Sequence, residues 1–150
     1  KSWSTLVLTL AAALGSLGMT VVGKRLIGRS RPPRELAVPP YENSPSFPSG
    51  HTLNATVIIG VLVYLWLLHL ATKRARFWAG TAGVVFVGAM GLSRVYLGHH
   101  WLTDVIAGWL LGLAWLTIVV TAHRLHLTIR RRREARLPAG SPATAAPTSG

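Results

Sequence analysis

"PSGHTLNATVIIGVLVYLWLLHLAT" runs from Pro48 to Thr72. From Thr52 onward it carries no Lys, Arg, Asp or Glu, and His69 is its one group that titrates near neutrality. A bilayer span needs roughly 20 apolar residues at about 1.5 Å of rise each. The stretch therefore reads as a membrane helix, Thr52–Thr72, with a Pro-Ser-Gly-His cluster at its mouth. Three more segments share its character. Trp3–Gly23 has no charge, Phe77–Leu92 extends through Tyr96, and Thr103–Ala122 has Asp104 at its edge. A secretory signal is the weaker reading of the first, because Lys1 is its only basic residue and further spans follow. The expected fold is an all-α, polytopic transmembrane bundle with four visible spans.

Composition agrees. The 150 residues leave room for one domain, half of them are hydrophobic, and only 13% are charged, about half the share of a soluble domain. The absence of cysteine excludes a disulfide framework and a thiolate metal site. A net charge of +12 invites a nucleic-acid reading, but the placement of the charge opposes it. Lys73-Arg74-Ala75-Arg76 reads as a tight basic turn between spans, and Arg124, Arg130, Arg131, Arg132, Arg133 and Arg136 follow the last span. Loops rich in Lys and Arg stay in the cytoplasm. The C-terminus is then cytoplasmic, and the loops Lys24–Gly50 and Arg94–His100 share the outer face. The end, residues 137–150, is rich in Pro, Ala, Ser and Gly and reads as a disordered tail after a domain at 1–136. Gly108/Gly112 and Ala79/Gly83 have the spacing of close helix packing, although glycine is also simply common in membrane helices. Lys1, not Met, opens the sequence and leads straight into an apolar run, the expected appearance of a chain whose first residues precede it.

The outer loop breaks the orientation rule. It holds Lys24, Arg25, Arg29, Arg31 and Arg34 against Glu35 and Glu42. An anion to bind would explain that excess. Three clusters on this face fit such a task. In "KRLIGRSRP", Lys24–Pro32, Arg offers a planar fork and Lys a point charge to an oxyanion; the plainer reading is a belt of residues reaching for lipid headgroups. In "PSGH", Pro48–His51, Ser49 suits a helix N-cap, Gly50 lets backbone approach a ligand, and the free N–H groups of a helix start attract phosphate. His51 adds a proton donor and acceptor near neutral pH; the plainer reading is an ordinary helix start. In "SRVYLGHHWLTD", Ser93–Asp104, His100 and Asp104 lie one helical turn apart. A carboxylate that orients one ring nitrogen leaves the other basic and nucleophilic, whereas Asp104 could also merely favour the helix dipole. A metal site has weak support with no cysteine and few carboxylates. The coincidence of all three clusters on one side of one membrane outweighs their separate plain readings.

These residues resemble the type 2 phosphatidic acid phosphatase (PAP2) superfamily, also called the acid-phosphatase/vanadium-haloperoxidase superfamily. Its motifs have the form KxxxxxxRP, PSGH and SRxxxxxHxxxD. The chain matches them in order with Lys24, Arg31 and Pro32, then Pro48, Ser49, Gly50 and His51, then Ser93, Arg94, His100 and Asp104. The resemblance implies metal-independent hydrolysis, without a cofactor, of a lipid phosphate such as phosphatidic acid, phosphatidylglycerol phosphate or a polyprenyl diphosphate. His100 would be the nucleophile and form a phosphohistidine, Asp104 would orient it, and His51 would act as general acid and then base. Lys24, Arg31, Ser49, Gly50 and Arg94 would hold the phosphoryl oxygens. His99 would stand at the pocket edge. Membrane members of the family usually have six spans, so the four here would be the last four, in a bacterial plasma membrane with the site facing outward. A lipid phosphotransferase, a vanadate-dependent haloperoxidase or a non-catalytic module that binds anionic lipid are the alternatives.

Overall fold

The computed structural model of the chain describes residues 2–136; the tail expected to be disordered lies outside them. Four helices follow one another: α1 Ser2–Ile27, α2 Gly50–Leu67, α3 Lys73–Tyr96 and α4 Leu102–Arg136. All four are long and apolar enough to cross a membrane. Their boundaries differ from the sequence reading where polar residues extend a helix. The run Lys73–Arg76 is the first turn of α3, not a turn between spans, because Thr72 caps it by accepting from the Ala75 N–H at 3.2 Å. The reversal occupies the residues before it, and α2 ends at Leu67, earlier than expected. At the other extreme, α1 runs on through Lys24 and Arg25, and α4 continues through the arginine cluster to Arg136.

α2 packs against each of the other three helices. Leu53, Val57 and Val61, at helical i+4 spacing, are buried and meet Leu8 and Ala12 of α1 and Val119 of α4. The outer faces remain apolar: Val7, Leu14, Val84, Val85 and Leu110 are all exposed, as suits a surface facing lipid. In such a solvent apolar area alone does not join helices, so close approach at small residues and interhelical hydrogen bonds carry more of the packing. Gly112 shows it directly: a methyl there would lie 2.7 Å from Thr56 Cβ. A methyl on Gly108 would lie 3.1 Å from the Ser49 carbonyl oxygen, and one on Gly83 would lie 2.8 Å from Val63 Cγ2. The glycines at 108 and 112 therefore do more than reflect composition. They let α4 slide against the start of α2, where the Ser49 N–H donates to the Asp104 carbonyl at 3.1 Å. Lower in the bundle, Tyr64 on α2 and His123 on α4 share a hydrogen bond of 3.0 Å.

Helix alternation puts the C-termini of α1 and α3 and the N-termini of α2 and α4 at one end. The segment between α1 and α2 is irregular except for a 3₁₀ turn, Arg34–Leu36. It lies across that end, held by Val38 N–H to the Leu97 carbonyl at 3.0 Å and by Trp101 Nε1 to the Ser30 carbonyl at 3.0 Å. Gly98 makes this contact possible. Its φ is +69° and a methyl there would overlap the Leu36 carbonyl oxygen.

Candidate active site

His100 sits in the connection between α3 and α4 and is buried. Its backbone N–H donates to the Arg94 carbonyl at 3.2 Å, which fixes the turn after α3. Its two ring nitrogens face different partners. Nε2 is 3.3 Å from Nη1 of Arg31. Guanidinium nitrogens only donate, so Nε2 must be the acceptor and the ring proton resides on Nδ1. Nδ1 lies 3.3 Å from Ser46 Oγ, and Ser46 in turn donates to Asp104 Oδ2 at 2.5 Å. The result is a chain of three groups, imidazole to hydroxyl to carboxylate. The direct His100–Asp104 separation is 3.7 Å, an ion-pair distance beyond a hydrogen bond. The serine fills the gap that the i+4 spacing leaves.

Asp104 is fully buried, and each of its oxygens is satisfied. Oδ1 accepts from Arg29 Nη1 at 3.0 Å, and Oδ2 accepts from the Trp101 backbone N–H at 3.1 Å as well as from Ser46. A buried carboxylate without such partners would be costly. Burial, followed by the positive charge of Arg31, holds the His100 imidazole down at about 4. Near neutral pH it is therefore uncharged, with a lone pair on Nε2.

Arg31 is the hub of the cation set. Nε donates to the Ser44 carbonyl at 2.7 Å, Nη1 to the His99 carbonyl at 2.6 Å and Nη2 to Glu42 Oε2 at 2.6 Å. Lys24, at the end of α1, reaches the same loop through Ser44 Oγ at 3.0 Å and the Pro45 carbonyl. His51 is half exposed in the first turn of α2, its Nδ1 3.8 Å from Glu42 Oε1. Burial pushes the Glu42 carboxyl up, but Arg31, His51, His100 and Lys24 together outweigh it and bring it below its ordinary value.

The remaining expected site residues are placed as follows. Ser49 is the N-cap residue of α2, yet its hydroxyl makes no cap bond; it is buried and paired with Thr52 Oγ1 at 2.9 Å. Gly50 lies against α1, where a methyl would be 2.8 Å from Thr20 Cγ2. Arg94 is half-buried, and its Nε has a long contact of 3.4 Å to Ser93 Oγ. His99 is buried and anchored through Nε2 to the Val38 carbonyl at 2.7 Å. Three residues of the site were not singled out from sequence: Ser46, Arg29 and Glu42. Glu42 and Ser46 lie in the loop between the first two motifs and Arg29 at a variable position inside the first, where nothing in the local pattern distinguishes them from their neighbours.

The three motifs thus meet at one end of the bundle, and a family description of the PAP2 superfamily matches residues 4–127. The chain belongs to the PAP2 superfamily. This PAP2 chain is 40% identical over 115 residues to phosphatidylglycerophosphatase B of Bacillus subtilis, a match covering 75% of the chain and 55% of that protein. It is 31% identical over 114 residues to the lipid A 1-phosphatase of Porphyromonas gingivalis, covering 75% of the chain and 23% of that protein. The crystal structure of a transmembrane PAP2-type phosphatidylglycerolphosphate phosphatase from Bacillus subtilis superposes with a TM-score of 0.72 at 34% identity, covering 79% of this chain and 58% of that one. The PAP2 chain spans about half the length, or less, of these curated relatives. It is an integral membrane protein with four candidate spans, structurally like a transmembrane PAP2 phosphatase.

Proposed function

We propose that this PAP2 chain hydrolyses the terminal phosphate of a membrane lipid, a phosphate monoester or diphosphate, through a phosphohistidine. The observation that carries the reading is the polarity of His100, with Nε2 toward Arg31 and Nδ1 toward Ser46 and Asp104. In the first step Nε2 attacks phosphorus, a P–N bond forms and the P–O bond to the lipid breaks. His51 gives its proton to the departing oxygen. In the second step His51 takes a proton from water as that water attacks phosphorus, the P–N bond breaks and inorganic phosphate leaves. Arg31, Lys24 and Arg94 offset the charge on the phosphoryl oxygens, and the first-turn N–H groups of α2 at Gly50 add the field of a helix start. Asp104, through Ser46, stabilises the positive charge that His100 gains.

The basic ends of α3 and α4 lie opposite the site. That arrangement supports an outward-facing site and a cytoplasmic C-terminal end of α4. The named relatives support the substrate class. Phosphatidylglycerophosphate is the first candidate, because the 40% match is to an enzyme of that name. The test follows inorganic phosphate release in detergent, with EDTA, from phosphatidylglycerophosphate, phosphatidic acid and undecaprenyl diphosphate. Wild type should release phosphate and His100→Ala should not. Release that survives His100→Ala, or that requires an added divalent ion, refutes the mechanism.

A further inference from the structure

Glu42 is an acid at the centre of a site built to attract anions. Its Oε2 takes the Nη2 donor of Arg31 at 2.6 Å, while the same guanidinium stands 3.3 Å from His100 Nε2. Its Oε1 lies 3.8 Å from His51. A phosphoryl group within reach of His100 needs the Arg31 donors that Glu42 and His100 now share. The carboxylate therefore occupies a position that a phosphoryl oxygen must take. The adjoining backbone is anchored, with Arg31 Nε on the Ser44 carbonyl at 2.7 Å and the Ser46 N–H on the Arg29 carbonyl at 2.8 Å. The Glu42 side chain is about one-third exposed, so it can turn aside while its loop stays in place.

We propose that Glu42 is a resident competitor for Arg31 that an incoming anion must displace. This rests on the reading of Arg31 as a phosphoryl-binding residue. A tethered carboxylate lowers the affinity of the site for every anion by the same factor. Monoanionic phosphodiesters surround the site at the bilayer surface and begin with the lower affinity, so they are left unbound. A terminal phosphoryl group has about −1.5 to −2 charge and three acceptor oxygens, and it remains bound after the same loss. On displacement the carboxylate turns to His51, which its Oε1 already faces at 3.8 Å. Its return to Arg31 expels product phosphate.

The test measures binding by calorimetry in detergent for wild type and Glu42→Gln. The ligands are inorganic phosphate and dihexanoylphosphatidylglycerol, a soluble phosphodiester. Loss of one charge-assisted contact at a partly exposed pair predicts that both ligands bind Glu42→Gln about tenfold more tightly. Rising phosphatidylglycerol in mixed micelles should then slow phosphate release by Glu42→Gln and leave wild type unaffected. Unchanged or weaker binding to the variant overturns the proposal. A wild type that binds phosphate yet releases none from any lipid refutes the proposed reaction while leaving the competition measurable. Should Glu42→Gln fail to elute as a folded protein, Glu42→Ala makes the same comparison.

Discussion

Ser46→Ala is the perturbation that most directly tests the imidazole–hydroxyl–carboxylate chain. The serine is fully buried, lies 3.3 Å from His100 Nδ1 and donates to Asp104 Oδ2 at 2.5 Å. Removing its oxygen leaves the Nδ1 proton facing a carboxylate 3.7 Å away, too far for a hydrogen bond. Asp104 keeps Arg29 and the Trp101 N–H, so its charge stays compensated and the fold should hold. In the proposed reaction the loss falls on the transition state, where His100 becomes positive. A hydrogen bond to a charged group is worth about 1.5–3 kcal/mol, which corresponds to roughly a 10- to 100-fold drop in kcat. KM should change little, because Ser46 faces the side of the ring away from Arg31. The assay is steady-state phosphate release in detergent, with thermal melting as the fold control. A kcat within threefold of wild type, or a loss confined to KM, would show that Asp104 needs no bridge to reach His100.

Three more outcomes follow from the geometry. The depressed His100 value makes the proposed nucleophile neutral above about 4, so kcat/KM should hold as pH falls through 6.5 and decline only near 4. An acid limb of kcat/KM centred near 6.5 would refute this. Stability carries the matching sign. The unfolded imidazole takes a proton near 6.5 and the folded one only near 4, so stability present above 6.5 is lost as pH falls through that window. Gly98→Ala should cost at least about 2 kcal/mol from its positive φ and the clash with the Leu36 carbonyl, and should lower the melting temperature and activity together, since the neighbouring His99 carbonyl holds Arg31. Gly80→Ala, where nothing lies within 4 Å, is the matched control and should not destabilise.

Much of this protein was legible in its sequence because the bilayer is a strict solvent. Uninterrupted apolar runs can do little else than form helices there, so four spans could be read directly, and their alternation alone put the three motifs on one face. Motif spacing also indicated that His100 and Asp104 belong together, since i and i+4 share a helix face. The helix ends were less legible. α3 starts in basic residues and α4 carries arginines to Arg136, because capping and continued backbone hydrogen bonding, not apolarity, decide where a helix stops. Only the tertiary structure decided how the groups connect. The 3.7 Å gap between His100 and Asp104, the serine that fills it, the arginine that holds Asp104 and the glutamate seated on Arg31 all depend on where an irregular loop lies across the bundle. That path is set by long-range contacts, Gly98 against Leu36 and Trp101 on Ser30 among them. Periodicity carries no record of such contacts, because a loop has none.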